Sequence, residues 1–318
     1  MIDIKKVEKD LNKFGYRNLI FEKIDYGINS TSWKISSKNQ KFFLKFYISR
    51  KNDKRDRIGA ELRFTELLKE GGFNNFPEII LSNYQDNWTL FEWIEGEKVI
   101  KPTTKDFDQL ILFLKQIQSL QELESSKKIG NASEACFNLI EHKNLISKRL
   151  ENTIKSSESF LKNWLIFDVL ESLKKCEDTY KNYFSNDHIS LVNQYSKILS
   201  PSDIGFHNIL KTKDRLFFHD FEYAGWDDPY KLVVDLLIQP ENVLKRKKSI
   251  KILKSLQTFF FLKDNFNFIK IYLILYRAKW VSIILKNIDK NNLGSKSSKA
   301  IINKSFNYFK MVGDLWDL

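Results

Sequence analysis

Three oxygen-bearing side chains, Asp203, Asn208 and Asp220, stand in the run SPSDIGFHNILKTKDRLFFHDFEYAG, residues 200–225. Two carboxylates and a carboxamide are hard oxygen ligands of the kind Mg2+ takes beside substrate phosphates. Asn208-Ile-Leu and Leu216-Phe-Phe are β-prone and are separated by the polar turn at 211–215. That pattern predicts a hairpin, which returns Asp220 to the neighbourhood of Asp203 and Asn208. Phosphoryl transfer asks for parts of this kind: a base for the attacking hydroxyl and charge held over the phosphates. The plainer alternative is an Asp and an Asn that cap turns.

Upstream, Lys45 interrupts an aromatic strand, KFFLKFY, whose alternation puts Phe43, Lys45 and Tyr47 on one face. A lysine there is ordinarily an edge residue with its stem on apolar surface. Glu61, on the helix that follows, offers a carboxylate to hold the ammonium while it meets an anionic ligand. The turn Tyr26-Gly-Ile-Asn-Ser-Thr31 supplies small polar residues whose N–H groups and hydroxyls suit phosphate oxygens, or an ordinary hairpin.

The elements that position these groups fall into two kinds. Ile2, Ile4, Val7, Leu11 and Phe14 recur at helical spacing, and strands are expected at 32–36, 41–47, 77–81 and 88–93. A helix over 55–70 ends at Gly71-Gly72. Beyond residue 95 the reading is helical at 104–123, 134–156, 161–184, 229–238, 243–262, 265–287 and 297–312. The architecture is therefore α+β: a β-rich lobe over 1–92 and a mainly helical lobe over 93–318.

Composition narrows the classes. The chain has 318 residues, 42% hydrophobic and 29% charged, enough for a sizeable core. Its net charge of +12 comes from lysines spread along the chain, so a lysine-rich surface is expected and no nucleic-acid partner. Cys136 and Cys176 lack metal-ligand spacing and read as free buried thiols. No apolar run approaches the ~20 residues a membrane span needs, and a cytoplasmic location is the expectation.

In these motifs the chain resembles the aminoglycoside phosphotransferase and choline kinase family, which shares the bilobal protein-kinase-like fold. The likeness covers nearly the whole chain, through YGINSTSWKI, FLKFY, GAELRF, LFEWIEGE, SPSDIGFHNIL and FFHDFEYAGWDDPYKLVVDL. It implies that Asp203 is the catalytic base, with Asn208 and Asp220 as Mg2+ ligands. Lys45 would hold the α- and β-phosphates of ATP, oriented by Glu61, under a loop of Gly27, Asn29, Ser30 and Thr31. Glu92, Trp93 and Ile94 match the connector whose backbone meets the adenine, with Phe91 beside the base; GTP is the alternative nucleotide. Glu222 replaces the glycine of the protein-kinase DFG. Pro201 stands where the family's histidine precedes the aspartate, giving a PSD variant.

The acceptor is expected to be a small hydroxylated metabolite, such as a sugar or sugar-like cell-surface precursor. An aminoglycoside or a choline-type amino alcohol is the alternative within the class. A non-catalytic nucleotide-binding pseudokinase is the alternative outside it. Glu222, Trp226, Asp227, Arg277 and Trp280 are candidates for the acceptor side, with Asp228 read equally as a helix cap. Arg277 either meets an acceptor or pairs with a carboxylate. His142 and His188 are expected at the surface, and His219 as a support beside Asp220. The sequence leaves the oligomeric state open.

Overall fold

A period of two runs through residues 41–47 and decides what the N-terminal sheet buries. The structure, a computed structural model, describes residues 4–25, 30–38, 40–48, 55–184, 197–241, 244–262, 266–288 and 292–318. Strand β3 (Lys41–Tyr47) turns Phe42, Leu44 and Phe46 into a core with Val7, Leu11, Ile35, Trp88 and Leu90. Val7 and Leu11 belong to helix α1 (Ile4–Lys13). The others come from β2 (Ser30–Ser36) and β5 (Trp88–Glu92). With β1 (Ile20–Asp25) and β4 (Ile79–Asn83) these strands form an antiparallel sheet of order β1-β2-β3-β5-β4. Lys45 sits on its central strand, opposite Ser32 on one neighbour and Thr89 on the other.

Two compact units make up the chain: residues 1–133 with 201–225, and residues 134–200 with 226–318. In the first, helix α2 (Arg57–Glu70) starts at Asp56, whose carboxylate accepts the Gly59 N–H at 3.0 Å. The expected hairpin is present as β8 (Ile209–Lys211) and β9 (Leu216–Phe218), with Ile209 opposite Phe218. Strand β6 (Glu97–Lys98) pairs with the free edge of β8. Helix α3 (Thr104–Gln116) secures this small sheet, stacking Phe113 on Phe218 at 3.9 Å between ring centroids. The α-helix expected to reach 123 stops at Gln116 and tightens into a 3₁₀ turn, Ile117–Glu122.

The second unit is helical: α4 (Leu139–Lys155), α5 (Ser159–Trp164), α6 (Glu171–Thr179), α7 (Pro229–Ile238), α8 (Arg246–Phe259), α9 (Phe266–Leu285) and α10 (Lys296–Trp316). Short strands β7 (Ile198–Ser200) and β10 (Gly225–Asp227) lie at its chain boundaries. The helix expected over 161–184 is interrupted by a π turn, Leu165–Leu170, which keeps Leu165 and Val169 both buried. Helix α9 is buried on nearly every side, as a central core helix must be. No described helix is long and apolar enough to cross a membrane. Cys136 and Cys176 are free and buried, and burial pushes their thiols up to about 11 and about 12.

Asp106 ties α3 to the hairpin. Its carboxylate closes a capping box with Thr103 and accepts from Lys211 Nζ of β8 at 2.7 Å. Burial opposes ionisation, but Lys211 and the Thr103 donors outweigh it and hold the carboxyl below its ordinary value. A depressed folded pKa adds stability above the unfolded value of roughly 3.9, lost as pH falls through the folded one. Asp106→Asn should therefore cost about 1–2 kcal/mol at neutral pH. Urea unfolding should show the gap from wild type closing as pH drops below about 4.

Candidate active site

One ammonium group gathers the site. Lys45 Nζ donates to Glu61 Oε2 at 2.6 Å and to Asp220 Oδ1 at 2.6 Å, and lies 3.2 Å from Glu222 Oε2. The Lys45 and Glu61 side chains are buried, while Asp220 keeps 32% of its side chain exposed. The Tyr47 hydroxyl, on the same face of β3, donates to Glu61 Oε2 at 2.6 Å, and the Phe221 N–H donates to Glu61 Oε1 at 3.3 Å. Glu61 is thus fixed from three directions. Tyr47 was assigned no role from sequence, although its place two residues after Lys45 puts it on that face.

The charges follow from this packing. Burial disfavours the Lys45 ammonium, but Asp220, Glu61 and Glu222 reverse that and hold its pKa well above the ordinary lysine value. Burial likewise works against the Asp220 carboxylate, and the charge and hydrogen bond of Lys45 overcome it, leaving the carboxyl below its usual range. Glu61 goes the other way: burial outweighs Lys45, with the Asp220 and Glu222 charges adding to the upward shift. Asp220 therefore carries the anion that faces solvent. Oxygens of Glu61, Asp220 and Glu222 lie within 4.8 Å of one another, a spacing that could hold a cation.

Asp203 and Asn208 lie in the same unit, in the loop that feeds β8. The Asn208 amide donates to the Asp203 backbone carbonyl at 3.0 Å, which ties the two residues together and leaves the side-chain oxygen out of that contact. The His219 N–H donates to the Asn208 carbonyl at 3.1 Å, linking the two ends of the hairpin. His207 Nε2 is 3.4 Å from Asp203 Oδ1, and 34% of the Asp203 side chain is exposed. Burial, helped by Lys45 and His207, pushes His219 down to about 4, so it is neutral near pH 7. Ser202 and Asp220 both have left-handed backbones, with φ of 65° and 67°. Such conformations persist only where surrounding contacts impose them, and they gather at functional sites.

Gly225 sets the end of this segment. A Cβ there would stand 2.4 Å from the Gly130 carbonyl oxygen and 2.6 Å from the Ala132 nitrogen, so only glycine fits. Ser133 N–H donates to the Tyr223 carbonyl at 3.0 Å and closes the same contact.

Other predicted residues stand as follows. Ser30 and Thr31 open β2, while Gly27, Asn29 and His188 lie outside the described residues. Phe91 and Ile94 are buried, and Trp93 carries Lys34 Nζ 5.2 Å over its ring. The Glu92 N–H is already committed to the Glu78 carbonyl at 2.8 Å. Glu222 joins Lys45, whereas Trp226, Asp227, Arg277 and Trp280 belong to the helical unit.

There the histidine expectation needs correcting. His142 is fully buried, with Nε2 2.9 Å from Asp228 Oδ2 and Nδ1 2.8 Å from the Tyr276 hydroxyl. The spacing Leu139, His142, Ile146, Leu150 places it on the buried stripe of α4, a signal the sequence already carried. Asp228 caps α7, accepting the Tyr230 N–H at 2.6 Å. Asp227 is fully buried and paired with Lys231. Arg277 stacks its guanidinium 3.9 Å over Phe309, and among the described residues no carboxylate pairs with it. Trp280 Nε1 donates to Asp235 at 2.9 Å.

No family model matches the sequence, and no curated protein matches it. Solved structures do. A choline kinase from Streptococcus pneumoniae aligns over 98% of this chain and 99% of its own, at 18% identity and a TM-score of 0.63. The fold is that of the small-molecule kinases. A choline kinase from Cryptosporidium parvum aligns over 98% and 97% at 13% identity and a TM-score of 0.63. A spectinomycin phosphotransferase, solved with ADP and spectinomycin, aligns over 98% and 97% at 14% identity and a TM-score of 0.61.

Removing the shared ammonium strands several buried anions. Lys45→Met is expected to cost about 3–5 kcal/mol in urea unfolding. Adding Glu61→Gln should recover part of that loss. Strictly additive single and double variants would show that the pair is not coupled.

Proposed function

We propose that this protein is an ATP- and Mg2+-dependent kinase that phosphorylates a hydroxyl of a small molecule. The observation that supports it best is the clamp on Lys45, set by Glu61 and Asp220 at 2.6 Å each. A buried lysine so oriented can present its charge to phosphates while Asp220 keeps an exposed edge. Lysine, a metal-binding carboxylate and a hydroxyl-orienting aspartate are the parts phosphoryl transfer uses. The fold likeness to choline kinases and aminoglycoside phosphotransferases agrees with this reading.

The residues fit the divalent cation that ATP brings. Asp220 is held anionic beside Lys45, and the Asn208 side-chain oxygen takes no part in the amide contact to Asp203. Mg2+ is commonly held through one or two protein oxygens plus the phosphates, and when bound it would neutralise phosphate charge. Asp203 orients the acceptor hydroxyl and takes its proton, using the exposed part of its carboxylate. Asn208 holds the Asp203 backbone in place through its amide. Lys45 binds phosphate oxygens, and Glu61 keeps it from swinging away. The nucleotide falls to residues 1–92, and the catalytic loop and acceptor to residues 93–318. A hydroxylated metabolite of the sugar type is the acceptor class we favour.

Asp203→Ala should lower turnover by about 10²–10⁴-fold, the usual share of a general base. ATP with Mg2+ should still raise the melting temperature of that variant as it does for wild type. ADP release across hydroxylated metabolites and aminoglycosides measures turnover. Full activity in Asp203→Ala would refute the base. Metal-dependent ATP binding with no release for any acceptor would instead make this a nucleotide-binding module.

A further inference from the structure

The helical unit buries three carboxylates among its described residues, Asp227, Asp228 and Asp235. Each already has a partner from the same chain. Lys231 pairs with Asp227 four residues earlier on the chain. Asp228 takes the Tyr272 hydroxyl at 2.8 Å, His142 at 2.9 Å and its own helix N-terminus. Asp235 takes Lys279 Nζ at 3.2 Å and Trp280 Nε1 at 2.9 Å.

The surroundings of Lys279 are unusual for a structural ion pair. Its ammonium stands 4.6 Å from the Tyr276 ring centroid and 5.9 Å from that of Trp280, facing the Asp235 carboxylate. Two aromatic faces and one anion around a cation make the kind of cage that recognises alkylammonium ligands. Here the occupant is a side chain of the same helix, buried to 6% exposure. Tyr276 is locked by its hydroxyl contact to His142, and Trp280 by its indole contact to Asp235, so the walls are preset. Burial lowers the pKa of the ammonium, the Lys231 and Arg149 charges add to that, and the Asp235 charge and hydrogen bond oppose it.

We propose that Lys279 is a built-in occupant of an alkylammonium cage formed by Asp235, Tyr276 and Trp280, and that it bars cationic acceptors from this protein. The acceptor half of that statement rests on the kinase reading above; the cage does not. It gives the acceptor class a physical reason. A quaternary amine or an aminoglycoside entering this unit finds Asp227 and Asp235 already paired with Lys231 and Lys279, and Asp228 already filled by hydrogen-bond donors. A neutral or anionic hydroxylated molecule loses nothing by that.

The test empties the cage. Lys279→Ala leaves room for the missing ammonium, and tetramethylammonium or propylammonium is titrated while Trp280 fluorescence and the melting temperature are followed. The variant should bind either cation at least tenfold more tightly than wild type. Lys279→Met, which refills the volume without charge, should not bind, and Asp235→Asn with Lys279→Ala should lose the gain. A folded Lys279→Ala with no gain overturns the cage. Saturable binding of choline or tetramethylammonium by wild type overturns the exclusion, as does ADP release driven by choline, ethanolamine or kanamycin. The wild-type arms decide this even where Lys279→Ala fails to fold. Absence of any ATP effect and of ADP release with every acceptor sinks the kinase reading alone, since the ammonium titration still reads the cage.

Discussion

A single positive charge shared by three carboxylates is the constraint on which the first unit depends. Lys45 comes from the middle of the sheet, Glu61 from the helix after it, and Asp220 and Glu222 from the far end of the hairpin. Unpaired, any of the buried members would cost several kcal/mol to keep ionised. The sheet, the helix and a segment 160 residues downstream are therefore held to one arrangement by charge as well as by apolar packing. The same requirement explains why Tyr47 is buried with its hydroxyl on Glu61: that carboxylate has more acceptor capacity than one ammonium can fill.

The helical unit obeys the same rule with different means. Its core helix carries Arg277 and Lys279 among apolar neighbours, and each is accommodated locally, one by a ring and one by a carboxylate between rings. Asp227 and Lys231 neutralise each other within one turn. Such pairs contribute less to stability than apolar residues of equal volume would, and they constrain which neighbour may sit where. Charge is thus spent on fixing geometry.

Much of this arrangement was legible in the chain. The alternation around Lys45 gave its face, the turn at 211–215 gave the hairpin, and that hairpin brought Asp220 back to the loop of Asp203 and Asn208. What the chain hid were meetings across long separations. Residues 201–225 rejoin the N-terminal unit because β6 pairs with β8, a pairing of two residues that no local pattern announces. Asp235 meets Lys279 across 44 positions, and His142 meets Asp228 across 86. The π turn at 165–170 was invisible for another reason: its apolar spacing fits an α-helix nearly as well. His142 differs again, since its helical register was readable and the usual surface habit of histidine prevailed over it.

The close fit at Gly225 has a consequence of its own. The strand after Asp220 and Glu222 is gauged by backbone against backbone, the Gly130 carbonyl and the Ala132 nitrogen leaving space for a hydrogen and nothing larger. A position set that way does not depend on which side chains surround it. Neighbouring residues can drift in identity while the acidic segment stays in register, provided one atom is never added at one place.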